Sequence, residues 1–448
     1  MEKRLHIETW GCQMNRHQSE GIAGVLLRVG YQLADGLEDA DVVIFNGCMV
    51  RRKAEEKVYG RIGAVVEEKR GRDLLLGVGG CIGQVRGEAL LKRFPAIDFV
   101  FGAGGHESLP GLIERADVGR SRPIALADGE TIDEVPFFRS SPVTAMVTIT
   151  EGCSNFCSYC VVPIARGPMR SRTPERILAE VEEAVASGLQ EVLLLGQNVN
   201  SYGRDRPEFG DFVSLLGRVA ALGPARVRFT SSHPRDLPIE LLEAMALTPN
   251  LSPHLHVACQ SGSDAILKAM HRGYTKDAFL TMADRARATV PGINLTTDLI
   301  VGFPGETDVD FRESIDLIER GRFGSIFVAM YSPRPGTRSA GFEDDVPEDE
   351  KKRRLHEVLE LQRRIALEEN ERFIGRDVDV LIEGETRAGA LYGRAADHRT
   401  VVLDGETSSG RHAPGDLVPV RIEAAASASL SGVALLPILS GPSAKGRS

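Results

Sequence analysis

Three cysteines packed into one short segment carry the first chemistry in this chain: Cys153, Cys157 and Cys160, in Glu151-Gly152-Cys153-Ser154-Asn155-Phe156-Cys157-Ser158-Tyr159-Cys160. The spacing C-x3-C-x2-C lets one loop place three thiolates on three corners of a [4Fe-4S] cubane and leaves the fourth iron without a protein ligand. An open iron is what a small substrate or cofactor needs. A zinc site would want a fourth Cys or His close by, and the nearest His in sequence, His106, lies far back. A disulfide with a spare thiol is disfavoured in a reducing compartment, and buried structural cysteines are usually scattered.

Three further cysteines, Cys12, Cys48 and Cys81, are far apart in sequence, yet each sits just beyond a run that reads as a strand. In an open parallel sheet the carboxyl ends of the strands line one edge, so three loops there bring their side chains together. A second three-thiolate set is the expectation, with no fourth Cys left over. The plain alternative is three small apolar residues near a sheet edge. Cys259, the seventh cysteine, reads as a core residue.

The elements that must position these groups alternate in a βα rhythm. Arg4 to Thr9, Asp41 to Asn46, Leu74 to Val78 and Asp98 to Gly102 read as strands. Glu20 to Val29, Arg52 to Glu68 and Glu88 to Phe94 carry apolar residues at helical spacing, the pattern of a parallel α/β sheet. A second rhythm has strands near Ala145 to Thr150, Glu191 to Leu195, Arg226 to Thr230, His254 to Val257, Asn294 to Val301 and Ile326 to Tyr331. Helices starting near Pro174, Phe212, Pro238, Ser263 and Thr307 follow the first five, which suggests a partial (β/α)6 barrel. Glu348 to Glu371 reads as a long exposed helix. Short β-like runs at Asp377 to Ile382, Ala390 to Arg394, Thr400 to Leu403 and Leu417 to Ile422 suggest a small β-barrel. The expected division is an N-terminal domain over 1–128, a linker or strand pair over 129–142, the barrel over 143–370, the small β-barrel over 371–437 and a disordered tail over 438–448.

At 448 residues, more than one domain is the expectation, because single hydrophobic cores stop growing well below that size. With 42% apolar and 26% charged residues the composition is that of a globular chain. There is no apolar run long enough to span a membrane, and Met1 to Ile7 carries charge where a signal peptide is apolar, so a cytoplasmic location is expected. A net charge of -9 speaks against coating nucleic acid nonspecifically, but leaves room for a local basic patch.

The C-x3-C-x2-C loop with an aromatic residue, Tyr159, before its last Cys resembles the signature of the radical S-adenosylmethionine superfamily. That resemblance implies that the open iron chelates S-adenosylmethionine and that one electron cleaves it to a 5'-deoxyadenosyl radical. Gly11-Cys12-Gln13-Met14-Asn15, Asn46-Gly47-Cys48-Met49-Val50-Arg51 and Gly80-Cys81-Ile82-Gly83-Gln84 resemble the cluster-binding segments of the methylthiotransferase family within it. Two [4Fe-4S] clusters are thereby implied, the second carrying sulfur. The family usually has Thr where Gly47 stands, and Pro-Val where Ala258-Cys259 stands.

Leu195-Gly196-Gln197-Asn198-Val199-Asn200-Ser201-Tyr202, Ser231-Ser232-His233-Pro234, Gln260-Ser261-Gly262-Ser263, Gly302-Phe303-Pro304-Gly305-Glu306-Thr307 and Tyr331-Ser332-Pro333-Arg334-Pro335-Gly336-Thr337 look like the branch that acts on isopentenylated adenosine in tRNA. Gln197, Asn198 and Gln260 fall at carboxyl strand ends, where such barrels keep their chemistry, and are candidates to hydrogen-bond S-adenosylmethionine, against a plain loop role. Phe373 to Val433 resembles a TRAM domain, a small RNA-binding barrel, although the segment has several Arg, more Asp and Glu, and no Lys.

The implied reaction adds a methylthio group to carbon 2 of N6-isopentenyladenosine next to the anticodon. That C-H bond is too weakly acidic for side-chain acid/base catalysis, so a radical is required. The target base would flip between the two domains, at low cost in an anticodon loop. The implied partners are the tRNA anticodon stem-loop and a reductant such as a flavodoxin or ferredoxin, with a monomeric enzyme and no membrane. The sulfur donor leaves no signature. The same architecture also suits threonylcarbamoyl-adenosine in tRNA, or an Asp of a ribosomal protein, and a non-enzymatic iron-sulfur RNA-binding protein is the outlying reading.

Overall fold

Apolar runs with Gly at their ends build the first sheet, in a computed structural model that describes residues 3–50, 52–119, 121–126, 136–404 and 412–435. In chain order it contains β1 (Arg4–Trp10), α1 (Gln13–Arg28), β2 (Gln32–Leu33), β3 (Val42–Gly47), α2 (Arg52–Glu68), β4 (Leu75–Gly80), α3 (Cys81–Arg93), β5 (Phe99–Phe101), α4 (Leu109–Gly119) and β6 (Ile124–Ala125). The strands lie in the order β2-β1-β3-β4-β5-β6, all parallel. β3 is buried along its whole length, as a central strand covered by helices on both faces must be.

α1 and α3 start earlier than apolar periodicity indicates. The first turns of α1 bury Met14, Asn15, His17 and Gln18, polar for the most part, against neighbouring segments, and so carry no apolar stripe. α3 opens on Cys81-Ile82-Gly83 and has a break at Gly87, where φ is +31°.

The second unit comprises β7 (Thr144–Thr148), β8 (Thr150–Glu151), α5 (Val162–Arg166), β9 (Arg170–Ser171), α6 (Pro174–Ala186), β10 (Glu191–Leu195), α7 (Phe212–Ala221), β11 (Arg226–Phe229), α8 (Ile239–Leu247), β12 (His254–His256), α9 (Asp264–Ala269), α10 (Lys276–Thr289), β13 (Asn294–Val301), α11 (Asp308–Gly321), β14 (Ser325–Met330) and α12 (Glu348–Glu371). Two parallel three-stranded sheets, β7-β10-β11 and β12-β13-β14, join through bridges at Val227 to Leu251 and Ser232 to Val257. The result is a partial six-stranded barrel. Its core includes Val147, Leu194, Phe229, Leu255, Leu299 and Phe311. The stretch after Ser263, expected as one helix, is two, because His271 (φ 59°) and Gly273 (φ 72°) turn the chain between α9 and α10.

α12 is not a freely exposed helix. Its Val358, Leu361, Ile365 and Ala366 are buried, and its Arg354 and Lys351 reach Glu306 and Asp344. Long charged side chains hid the apolar stripe between them.

The third unit is a closed antiparallel-dominated barrel, β15 (Asp377–Glu385), β16 (Leu391–Ala395), β17 (Thr400–Leu403), β18 (Leu417–Ala425) and β19 (Leu430–Ala434), in the order β15-β16-β17-β19-β18. β19, rich in small residues, closes the barrel by pairing in parallel with β17 and was not foreseen. The small barrel docks on the amino-terminal ends of the larger one. Arg226 Nη1 donates to the Arg394 carbonyl at 3.0 Å and Asn294 Nδ2 to the Asp397 carbonyl at 2.9 Å.

Residues 136–142 have no regular secondary structure, while 127–135, within which the expected linker begins, and the expected tail 438–448 lie outside the described residues. Among the described residues no helix is long and apolar enough to cross a membrane.

Candidate active site

β7 delivers the chain into the three-cysteine loop through Gly152, whose φ is +73° and where a Cβ would sit 2.1 Å from the Pro168 carbonyl oxygen. Only glycine fits there. The loop is then tied down at several points. Cys153 N donates to the Gly167 carbonyl at 3.2 Å, Ser158 N to the Met270 carbonyl at 3.0 Å and Cys160 N to the Cys157 carbonyl at 3.0 Å. Tyr159 packs against the cluster of Ile266, Met270, Phe303 and Tyr331, so the aromatic residue anchors the loop to the barrel.

Two cations meet this loop, Arg235 at Asn155 Oδ1, 2.7 Å away, and Arg272 at a cysteine. Arg272 is buried and donates from Nη1 to the Cys157 sulfur at 3.4 Å. Burial pushes the Cys160 thiol up to about 12 and raises Cys153 as well. Thiols buried in this way ionise when a metal or cluster takes them as ligands.

The second set stands on adjacent strands. The register places Trp10 opposite Gly47 and Gly47 opposite Gly80, so Cys12, Cys48 and Cys81 follow at one edge of β1, β3 and β4. Cys48 N continues the ladder to the Trp10 carbonyl at 2.8 Å. Cys12 caps the start of α1 and Cys81 is the first residue of α3, and the partial positive charge of a helix N-terminus favours thiolate. A hydrogen bond from the Cys48 thiol holds Cys12 below the ordinary thiol range, and the same bond holds Cys48 above it.

Backbone without Cβ clears the space. At Gly11 a Cβ would lie 2.7 Å from the Cys48 Cβ, and at Gly80 2.2 Å from Asn46 Oδ1. Asn46 in turn donates to the Asn15 carbonyl at 2.8 Å and Ser19 Oγ at 2.9 Å, bracing the loop after β1. At Gly47, the departure from Thr, a Cβ would lie 2.7 Å from Ile82 Cγ2, so the buried side chain of Ile82 fills the place a larger residue would take.

All seven cysteines are free thiols. Two all-thiol sets of three suit cubane corners, with soft sulfur donors and an open fourth position. Among the described residues no three His, Cys, Asp or Glu side chains close on a single metal ion. A cubane spreads its ligands wider than one ion does. Cys259 is a fully buried core residue, its sulfur facing the Asp298 carbonyl at 3.2 Å.

Of the S-adenosylmethionine candidates, Asn198 has its Nδ2 committed to Asp236 Oδ2 at 2.8 Å and to Ser201 Oγ. Gln260 sits at positive φ, 69°, and its backbone bridges to β13. The carboxyl ends of β7, β10 and β11 nevertheless hold buried polar atoms without partners among the described residues. These are Thr150 Oγ1, Gln197 Oε1, Asn198 Oδ1, both amide atoms of Asn200, and Ser232 Oγ. A buried polar atom left unpaired costs free energy, and a polar ligand at this face would recover it. Thr150, Asn200 and Ser232 lay in quoted or neighbouring segments without being singled out. Arg166 and Arg272 were missed entirely. A lone charge in the apolar run Val161 to Ala165 was the available signal for Arg166, whereas Arg272 had none.

Arg166, at the end of α5, reaches across to the first sheet. It pairs with Glu151 of β8 at 3.2 Å and faces Gln18 Oε1 of α1 at 3.5 Å, and Ala165 beside it packs in one apolar core with Cys81. Arg334 makes a second bridge, to Glu55 at 3.3 Å and to the Val50 carbonyl at 3.1 Å. The two cysteine sets thus face one junction.

Comparison with known proteins finds three family models along the chain. Residues 147–318 match the model of the radical SAM superfamily, 4–102 that of the uncharacterized protein family UPF0004 and 371–435 that of the TRAM domain. The chain is 44% identical over 431 residues to a tRNA-2-methylthio-N(6)-dimethylallyladenosine synthase of Carboxydothermus hydrogenoformans, covering 94% of this chain and 97% of the relative. It is 46% identical over 413 residues to the protein of the same name in Geotalea uraniireducens, covering 91% and 94%. In fold it is similar to the radical S-adenosylmethionine methyltransferase TsrM of Kitasatospora setae, with a TM-score of 0.58 at 15% identity over 75% of each chain.

Proposed function

We propose a residue-level reading of a chain that belongs to the tRNA-2-methylthio-N(6)-dimethylallyladenosine synthase family. The protein is a radical S-adenosylmethionine methylthiotransferase that places a methylthio group on carbon 2 of N6-isopentenyladenosine in tRNA. It uses S-adenosylmethionine and a [4Fe-4S] cluster. The threonylcarbamoyl-adenosine, ribosomal-protein and non-enzymatic readings give way to the name its relatives share.

In our reading Cys153, Cys157 and Cys160 hold that cluster. When bound there with S-adenosylmethionine it supplies the one-electron cleavage that yields a carbon radical able to take hydrogen from an unactivated position. Arg272 holds the loop in register and balances its charge. Gln197, Asn198 and Gln260, joined by Thr150, Asn200 and Ser232, orient the cofactor and keep water from it.

Cys12, Cys48 and Cys81 hold a second [4Fe-4S] cluster, which supplies the sulfur. The observation that carries this is their place past three hydrogen-bonded strands, in the unit that Arg166, through Gln18, and Arg334, through Val50, join to the barrel. The tRNA anticodon stem-loop is the partner, and the small barrel over 371–437 binds RNA, with the other joints at 128 and 142. A flavodoxin or ferredoxin as electron donor, a monomeric state and a cytoplasmic location complete the proposal.

Mass spectrometry of tRNA nucleosides from cells lacking, then regaining, this chain is the test. The 2-methylthio group on isopentenyladenosine should vanish and return. Its persistence without the chain would end the reading.

A further inference from the structure

The second-cluster reading leaves one group unexplained: a guanidinium whose side chain is only 4% exposed, standing between the two cysteine sets. Arg166 closes α5, the helix that follows the Cys153 loop, and lies between Glu151 of β8 and Gln18 of α1. Its Nη1 donates to Glu151 Oε1 at 3.2 Å and its Nη2 faces Gln18 Oε1 at 3.5 Å, while Ala165 beside it shares an apolar core with Cys81. Glu151 belongs to β8, directly before Gly152 and Cys153, and is also reached by Arg170 at 3.5 Å. A short path therefore runs from Cys81, packed beside Ala165, through Arg166 and Glu151 to the loop of Cys153.

A buried arginine is a costly way to fill space. Desolvating a cation takes several kcal/mol, and an apolar side chain packs the same volume without that cost. α5 and the residue before it already offer Ala165 and Val161 to the apolar core that also holds Val78 and Ile82. The charge itself is what an apolar residue could not supply. A fixed cation beside sulfur ligands in a water-poor site stabilises whichever state of the bound group is more negative, and a fixed anion does the reverse.

We propose that Arg166 is a positioning residue that, together with Glu151, sets the reduction potential of the cluster held by Cys12, Cys48 and Cys81 and couples it to the Cys153 loop. The inference rests on that ligand set. Arg166 favours the reduced cluster, which carries one more negative charge. Glu151 orients the guanidinium and opposes it in sign. A change at the Cys153 loop that moves Glu151 is thereby felt at Cys81.

The test is an anaerobic redox titration of the reconstituted full-length protein, followed by electron paramagnetic resonance, for wild type, Arg166→Gln, Arg166→Lys and Glu151→Gln. Iron and sulfide analysis of the wild type comes first, since two cubanes require about eight irons per chain. Four irons would overturn the ligand set and this inference with it. With eight, Arg166→Gln should disfavour reduction of the second cluster about tenfold, which is about 59 mV for a one-electron couple. Glu151→Gln should shift it the opposite way, and Arg166→Lys should stay near wild type. Unmoved potentials, or shifts of the same sign in Arg166→Gln and Glu151→Gln, overturn the inference and leave the ligand set standing. If Arg166→Gln fails to take up the cluster, Arg166→Lys and Glu151→Gln decide on the same criteria.

Discussion

Arg272 holds the Cys157 sulfur at 3.4 Å with one guanidinium nitrogen and the Ala258 carbonyl at 2.6 Å with the other. Its Nε donates to the Tyr274 hydroxyl at 3.1 Å, which in turn reaches the Ala258 carbonyl at 3.2 Å. A loop that must present three thiols to one cluster is thus clamped to the chain just past β12 by a single planar donor group. Planarity matters here, because a Lys ammonium cannot address two directions in one plane.

Arg272→Lys should therefore keep the charge and lose the clamp. We expect a loss of about 2 kcal/mol of stability, the scale of a charged hydrogen bond left unmade. Thermal unfolding of the anaerobic holoprotein measures it. Production of 5'-deoxyadenosine should fall with it, and an unchanged melting temperature with unchanged production would remove Arg272 from the site.

The two cysteine sets predict separable defects. Cys157→Ala should abolish reductive cleavage of S-adenosylmethionine, and tRNA methylthiolation with it. Cys48→Ala should leave cleavage to 5'-deoxyadenosine in place and abolish methylthiolation. Chromatography of the nucleosides from one anaerobic reaction reads both. Methylthiolated tRNA from the Cys48→Ala protein would sink the assignment of the second set.

Gly47 predicts a coupled pair. A β-carbon there would stand 2.7 Å from Ile82 Cγ2 and 3.0 Å from Val58 Cγ2, so Gly47→Thr overpacks the end of β3. The expected cost is about 1–3 kcal/mol. Ile82→Ala should cost less in the Gly47→Thr background than in the wild type, because it removes the colliding methyl group. Equal costs in the two backgrounds would mean that β3 moves instead.

Much of this site was legible in the sequence, for physical reasons that differ along the chain. β10 is legible because it is buried in a parallel barrel and reads, after Glu191, as one apolar run. Cys153, Cys157 and Cys160 were legible because one short loop carries all three. Cys12, Cys48 and Cys81 needed the strand order as well, since sequence separation hides a shared edge. The first turns of α1 and α3 were not legible, because they bury Asn15, His17 and Gln18 or lean on glycine. Nor were Arg166 and Arg272, whose meaning depends on partners far away in sequence.

Glu306 gives the pH prediction. The residue is buried, and burial pushes its carboxyl up to about 7 against the pull of Arg354 and of the backbone donors Phe303 N and Gly302 N. In the unfolded chain it ionises near its ordinary 4.5. Below that pH both states are protonated and Glu306 makes no difference to stability. As pH rises from there to 7, the unfolded chain releases the proton while the folded chain keeps it, so stability falls. The loss is complete above 7, at roughly 3 kcal/mol. Glu306→Gln still accepts from Phe303 N, and Arg354 retains Glu350 at 2.8 Å. The variant should therefore match the wild type near pH 4 and melt at a higher temperature than it by pH 8. A difference that stays flat across this range, or one that favours the wild type at pH 8, would show the carboxylate stabilised by Arg354 instead.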